Sequence, residues 1–420
     1  MHRTTLFICL VIIASSSWSQ QSTLTYARSI VKTLCASEMD GRGYVNGGCV
    51  RAGVFILNEM KALGLEPVKG TYKHDFNLMV NTFPSKCSVM NGVKRCRPGV
   101  DFLIHPSSPS FKGKLRLNVM GAEQILKYPF GKTEPSNQAL AFSTNKGFPK
   151  DSLVLVRRKL EKLARVEIPV IEFTREKLTW SVSDETYKFP YIQYFDTNAV
   201  VASNRIKVHL KSTFLPKYEA SNYLGIVPSK NASDSLLIIC AHYDHLGRMG
   251  KKTFFPGGND NASGVAMMLS LAREISSHPL PNHAVLFIAF AGEEIGLEGS
   301  QAFVNSNLID LNKVSMVLNL DILGSGEEGI TVVNGSVFPK YFNQLVELNK
   351  EIPAVPVVKS RGKAANSDHF PFSEKGVPAL FVYTMGPNKN YHDIHDTYGN
   401  LSFDRFEALH FLFVRFLNRF

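Results

Sequence analysis

Residues 235–247 read SLLIICAHYDHLG. Ser235–Ala241 is a continuous apolar run, too short for a helix of ordinary length, and it reads as a strand buried on both faces. Val285–Phe290, Val314–Leu320 and Pro378–Thr384 repeat that texture. Between them, ASGVAMMLSLAREISS (262–277) and LEGSQAFVNS (297–306) carry helical spacing. Buried strands alternating with helices specify an α/β chain: a three-layer αβα domain around a mixed, largely parallel sheet. Ligands of such sheets bind beyond the carboxyl ends of the strands.

Chemistry-bearing residues stand at those ends. His242 and Asp244 follow the first strand, and Asp260 in GGNDNASG precedes a helix. Glu293 and Glu294 follow the second strand, Asp321 follows the third, and His392 in YHDIHDTYGNL lies beyond the fourth. Singly, each has a plain reading: Asp260 or Asn261 as a helix cap, Asp321 as a turn residue. Together at one sheet edge, they read as ligands.

Charge balance sharpens this reading. Two Zn²⁺ ions bring four positive charges. Asp260, Glu294, Asp321 and one bound hydroxide balance them, while His242 and His392 supply the nitrogen ligation zinc favours. Asp260 is best placed to bridge the metals, which in such sites lie roughly 3.5–4 Å apart. Glu293 is then surplus to ligation, and a free carboxylate beside a water on the metals is what a general base requires. Neighbouring residues of an extended chain point to opposite sides, so Glu294 can face a metal and Glu293 the water. Asp244 is placed to orient the His242 imidazole. Tyr391 is either an oxyanion donor or a packing side chain.

The remainder of the chain divides by texture. Residues 1–19 have a basic start, an apolar stretch over Leu6–Ala14 and small residues before Gln20, the pattern of a secretory signal peptide. An exported protein, periplasmic or secreted, with no membrane span is expected. TLTYARSIVKTLCASEMDGRG (23–43) and CVRAGVFILNEMKALGLEP (49–67) are helical, and a strand follows at 75–83, so 20–83 forms the N-terminal part of the main domain. Across 84–210 short strand-like runs (Asp101–Ile104, Leu153–Val156, Ile168–Phe173) alternate with polar turns, as in a β-rich insertion; 211–420 completes the main domain.

Export permits local disulfides Cys35–Cys49 and Cys87–Cys96, whereas Cys240 in LLIICA reads as a buried thiol. The net charge of +11 is concentrated in 84–210. The cations are scattered and no nucleic-acid motif accompanies them, so a solvated basic surface is expected and no nucleic-acid partner. Oligomeric state is not readable.

AHYDHLG, GGNDNASGVA, AGEEIGLEGS, NLDILG, SDHFPFSEKGVPAL and YHDIHDTYGNL resemble the successive motifs of the di-zinc aminopeptidases of the bacterial leucyl aminopeptidase type, zinc metallopeptidase family 28. Glutamate carboxypeptidases, glutaminyl cyclases and the non-enzymatic transferrin receptor are relatives. The resemblance is close over Ser221–Leu401. It implies a peptide substrate, His242 and Asp321 on one zinc, Glu294 and His392 on the other, Asp260 bridging and Glu293 as base. In that motif the ligand is the histidine directly after the tyrosine, hence His392 and not His395. VEIPVIEFTREKL is similar to part of the protease-associated insertion of many members. A glutamate-carboxypeptidase-like enzyme and a binding protein on the same scaffold are the alternatives. Between Phe381 and Tyr391 only Lys389 is available to hold a substrate carboxylate, against the first. The complete ligand set stands against the second.

Overall fold

The computed structural model describes residues 22–131, 137–144, 149–195 and 204–420; the expected signal peptide lies outside them. The main sheet has eight strands: β1 (Lys73–Thr82), β2 (Thr213–Val227), β3 (Leu236–His242), β4 (Ala284–Phe290), β5 (Val314–Leu320), β6 (Gly329–Val333), β7 (Val358–Ser360) and β8 (Ala379–Met385), in spatial order β1-β2-β4-β3-β5-β8-β6-β7. The central β4, β3, β5 and β8 are mutually parallel, so their carboxyl ends share one edge. The antiparallel β1, β2 and β6 make the sheet mixed.

Alternation along β3 shows why its run is apolar throughout. Leu237, Ile239 and Ala241 enter a core shared with the helices Thr23–Leu34, Gly48–Ala62, Gly264–Ser277, Pro339–Glu351 and Phe406–Leu417. Leu236, Ile238 and Cys240 enter a second core that includes Phe303 of the helix Glu298–Val304 and Phe372 of His369–Glu374. Helices on both faces exclude water from the strands, and only their ends open to a site. The architecture is the expected three-layer αβα.

Between Cys87 and Leu210 the chain builds a second eight-stranded sheet. One face shares a core with Phe83, Leu246, Met249 and Phe255, which flank the main sheet. Helix Lys150–Val166 covers part of the other face through Val156, Leu160 and Ala164. This corrects the strand expected at Leu153–Val156. The LVLV run favours a strand locally, but Leu153, Val156, Leu160 and Leu163 are buried at the three- and four-residue spacing of a helix.

The disulfide expectation also fails: Cys35, Cys49, Cys87, Cys96 and Cys240 are all free thiols. Register explains one pair, because Cys96 lies opposite Val89 and not Cys87. Such diagonal neighbours are ~7–8 Å apart, beyond disulfide reach. Cys49 instead contacts the Tyr243 hydroxyl at 3.6 Å. Cys240 is buried, as expected.

Candidate active site

Four buried polar side chains, Asp244, Arg42, Asp396 and Asn261, shape the strand ends. Asp244 accepts hydrogen bonds from the Tyr44 hydroxyl (2.6 Å) and from the backbone N–H of Glu293 and Glu294 (both 3.3 Å). Tyr44 in turn accepts from the Gly292 amide at 2.8 Å. The end of β3 therefore fixes the turn after β4, with the N-terminal segment as clamp. Asp244 meets the His242 imidazole through its backbone carbonyl, which accepts from His242 Nδ1 at 3.2 Å, while its carboxylate stands 3.8 Å away.

Arg42, fully buried, donates to the carbonyls of Leu34, Tyr243, Pro256, Gly257 and Asp260. Asp396 accepts from the amides of Asn259 (2.8 Å) and Asp260 (3.0 Å). Asn261 caps Gly264 N (2.9 Å) and donates to Leu320 O (3.0 Å), so the cap is Asn261 and Asp260 is released from that duty. Gly264 permits this approach, since a Cβ there would lie 2.3 Å from Leu320 O.

Asp260 lies between two histidines. His242 Nε2 is 3.3 Å from Asp260 Oδ1 and 3.5 Å from Asp321 Oδ1. His392 Nε2 is 3.0 Å from Asp260 Oδ2 and 3.1 Å from Glu294 Oε2. Glu293 Oε2 stands 4.0 Å from His242 Nε2, at the margin of the cluster. Ser367 donates to Asp321 Oδ2 at 3.1 Å, while Asp321 Oδ1 is buried without a hydrogen-bond partner among the described residues.

The tautomers make this a cation site. A carbonyl can only accept, so Asp244 O and Trp180 O fix the proton on Nδ1 of His242 and of His392 (2.8 Å to Trp180 O). Each ring then turns an Nε2 lone pair toward carboxylates, which repels unless a proton or a metal stands between them. The separations also suit a metal: tetrahedral ligands at about 2.0–2.1 Å lie ~3.3 Å from one another.

The titration behaviour expresses the same demand. Burial lowers His242, but Glu293 and Asp321 carry it well above the ordinary imidazole range. Burial likewise lowers His392, and Glu294 and Asp260 bring it up to about 11. Burial pushes Asp260 up, yet hydrogen bonds from both histidines hold it well below the usual carboxylate range. Glu294 also resists burial, and His392 takes it down to about 2. Glu293 goes the other way: burial raises it, His242 opposes, and Glu294, Asp368 and Asp321 add to the rise.

Two participants were not foreseen. His245, fully buried, donates from Nδ1 to Glu294 Oε1 at 2.6 Å. His245, Asp260 and Glu294 form one compact donor group, and His242, Asp260 and Asp321 another. His392 fits the Glu294 half better than His245, because its Nε2 faces both Asp260 and Glu294. His245 reads as the residue that turns Glu294. The sequence HYDH contained it, but nothing there separates it from a packing histidine.

The second is Trp180, from the loop between strands Val170–Thr174 and Tyr191–Phe195 of the other sheet. Its N–H donates to His392 O at 3.0 Å while its carbonyl holds the ring. His392 has φ +57, a left-handed conformation costing roughly 1–2 kcal/mol, and these bonds offset it. Lys177 anchors the same loop at Tyr391 O and Asp393 Oδ2, both 2.8 Å. Tyr391 is 51% exposed and stacks on His392, centroids 3.8 Å apart. His395 is exposed, its amide held by Asp393.

Known proteins resemble this chain in both sequence and fold. Residues 222–417 match the model of Peptidase family M28. Aminopeptidase YwaD of Bacillus subtilis (strain 168) is 23% identical over 322 residues, 69% of each chain. A probable leucine aminopeptidase of Arthroderma otae is 27% identical over 218 residues, 49% of this chain and 58% of the relative. Among solved structures, a zinc aminopeptidase from Bacillus subtilis superposes with TM-score 0.71 at 18% identity, covering 94% of both chains. A peptidase M28 precursor from Shewanella amazonensis gives 0.70 at 15% identity, covering 93% and 92%.

Proposed function

This chain belongs, through residues 222–417, to peptidase family M28, and from that premise we propose that it is an exported di-zinc aminopeptidase that removes N-terminal residues from peptides. The observation that carries the two-metal reading is Asp260, whose two oxygens each face a separate histidine–carboxylate pair. His242 and Asp321 would hold one zinc, His392 and Glu294 the other, with Asp260 shared. Zinc supplies, when bound, Lewis-acid polarisation of a carbonyl and acidification of a water.

The protein's own residues have distinct duties. Glu293 is the general base: it is surplus to the two donor sets and sits at their margin. A free carboxylate so placed can take a proton from water and deliver it to the leaving amine. Asp244 and Tyr44 hold the backbone of Glu293 and Glu294, so base and ligand keep their relative aim. Tyr391 carries its phenolic proton at neutral pH, as a phenol of ordinary pKa about 10 does. From its place on His392 it is the candidate donor to the oxyanion of a tetrahedral intermediate.

Direction of attack follows from charge. The clustered carboxylates favour the ammonium end of a peptide. Lys389, the cation between Phe381 and Tyr391, donates to Gly386 O at 3.0 Å, and Lys177 is engaged by Tyr391 O and Asp393, so neither offers a bidentate clamp for a terminal carboxylate. The names of the Bacillus and Arthroderma relatives support the same reading. Export rests on the basic and apolar pattern of residues 1–19, and no described helix is long and apolar enough to cross a membrane. The second sheet is proposed as a protease-associated-like unit.

The test compares one peptide with its N-acetylated and C-amidated forms. Acetylation removes the ammonium charge, so kcat/KM collapses, whereas amidation changes little. Unchanged cleavage of the acetylated peptide with loss on amidation would make the protein a carboxypeptidase. No cleavage of any form by zinc-loaded protein would leave a binding protein.

A further inference from the structure

The second sheet has a bare half. In strand Phe111–Val119, Leu115 and Leu117 turn to the core shared with the peptidase side, while Lys112, Lys114 and Arg116 are exposed on the other face. Strand Arg205–Leu210 repeats the pattern, with Ile206 and Val208 inward and Arg205 and Lys207 outward. The antiparallel register sets these cations directly opposite one another: Arg116 faces Arg205, Lys114 faces Lys207, and Lys112 faces His209. The row continues through Met90, which faces Lys207 on one side and Arg95 on the other.

Like charges directly opposite across a sheet destabilise it, so folding does not explain this arrangement. Lys112, Lys114 and Lys207 have no carboxylate partner among the described residues. His209 records the crowding: desolvation lowers its pKa first, and Lys86, Lys112 and Lys207 lower it further. Residues 84–210 hold 21 Lys/Arg against 11 Asp/Glu, a net +10 of the chain's +11. The peptidase part is close to neutral, and its partner of opposite charge would meet this face.

The shape selects among polyanions. Strands ~4.8 Å apart and outward residues ~6.8 Å apart along each strand spread the cations over a surface and not along a groove. Among the described residues of strands Phe111–Val119 and Arg205–Leu210, no exposed Phe, Tyr or Trp interleaves with the cations, as stacking on single-stranded nucleic acid requires. At the edge, the hairpin joining Cys87–Asn91 to Lys94–Cys96 presents Val93, 99% exposed, beside Lys94 and Arg95. An apolar tip flanked by Arg95 and by Lys94, the latter paired with Asp101 at 3.2 Å, suits a lipid interface, where headgroups take the charge and the acyl boundary takes the side chain.

We propose that this outward sheet face docks the protein on the anionic headgroup surface of a phospholipid bilayer. The face is opposite the one packed toward the peptidase unit, so docking leaves the strand-end site uncovered by this contact. The proposal is independent of the peptidase reading.

The experiment is flotation of the full-length mature protein with vesicles of phosphatidylglycerol and phosphatidylcholine, against phosphatidylcholine alone. Each cation at such a surface contributes roughly fivefold in partitioning. The variant K112Q/K114Q/K207Q is therefore expected to bind about a hundredfold more weakly. Val93→Asp is expected to weaken binding with every cation in place. At ~0.5 M salt the Debye length falls well below 10 Å and the parent is released. The far-ultraviolet circular dichroism and thermal unfolding midpoint of each variant stay at the parent values, which certifies folding. Equal parent binding to both vesicle types, or an unchanged partition of the triple variant, would overturn the proposal. Retention on immobilised heparin or DNA without vesicle binding would assign the face to a soluble polyanion and overturn it too.

Discussion

Tyr44→Phe removes one oxygen atom from a buried site and breaks two bonds. The Tyr44 hydroxyl donates to Asp244 Oδ2 at 2.6 Å and accepts from the Gly292 amide at 2.8 Å. Both tyrosine and aspartate are buried, at 3% and 0% exposure, so water does not replace the lost atom readily. A hydrogen bond to a charged group contributes about 1.5–3 kcal/mol, and an orphaned buried amide costs about 1–3 kcal/mol. The substitution should therefore destabilise the protein by about 3–5 kcal/mol, although it leaves the ring in place. Asp244 also holds the Glu293 and Glu294 amides, so zinc affinity should fall about 10–100-fold, the usual scale for groups supporting a ligand. The assay is a urea titration of metal-free parent and variant at 25 °C, followed by zinc titration of each. A double-mutant cycle isolates the mechanism: in an Asp244→Asn background, Tyr44→Phe should cost about 1.5 kcal/mol less, because the charged acceptor is gone. A loss below about 0.5 kcal/mol, the level of an ordinary surface change, would refute the reasoning. So would full additivity in the cycle.

His392→Ala should lower zinc occupancy while His395→Ala leaves it intact; inductively coupled plasma analysis of the two variants decides, and the reverse pattern would sink the assignment. Lys177→Met releases the loop held at Tyr391 O and Asp393, and should weaken one zinc about 10–100-fold with the other unmoved and Lys177→Arg restoring it. Trp180, the only tryptophan beyond residue 18, reports loop release as a fluorescence shift, and an unshifted spectrum with normal zinc affinity would contradict the clamp. His105 lies between Tyr187 and Tyr191, and burial, then Arg165, lowers its pKa from 6.5 to about 4. The unfolded chain binds the extra proton between those values, so this contribution is complete above pH 6.5 and lost as pH falls toward 4. His105→Phe should flatten that part of the stability–pH profile, and a parallel profile would show that another group carries it.

The strand ends were legible because burial writes them into the sequence. A strand covered on both faces is mostly apolar, and a polar residue inside it needs a buried partner, as Asn319 has in Ser367, so charged residues just beyond the run mark the open edge. His242, Glu293, Glu294 and Asp321 stand out for that reason. Asp260 and His392 needed charge balance and motif spacing, since loops carry no such boundary. What escaped was carried by groups without a residue signature. Trp180 acts on His392 through its main-chain N–H and C=O, 212 positions away in sequence. Arg42 works on backbone carbonyls contributed by several segments, and an isolated arginine after a helix gives no sign of that. Asp244 meets His242 through its main-chain carbonyl while its carboxylate serves the Glu293 and Glu294 amides, a division of labour that residue type alone does not show. The helix Lys150–Val166 was missed where four branched or aliphatic residues in a row outweighed a longer spacing that only burial reveals.

The account's central claim is a two-metal site shared through Asp260, with Glu293 outside the ligand set. Zinc counted per chain after equilibration and gel filtration tests it most directly, on the parent, Glu293→Gln and Asp260→Asn in parallel. Two zincs are expected in the parent and in Glu293→Gln, the latter with peptide turnover reduced about 10²–10⁴-fold. Asp260→Asn is expected to retain at most one. A saturated parent holding a single zinc, a Glu293→Gln protein lacking one, or an Asp260→Asn protein keeping both would contradict the account.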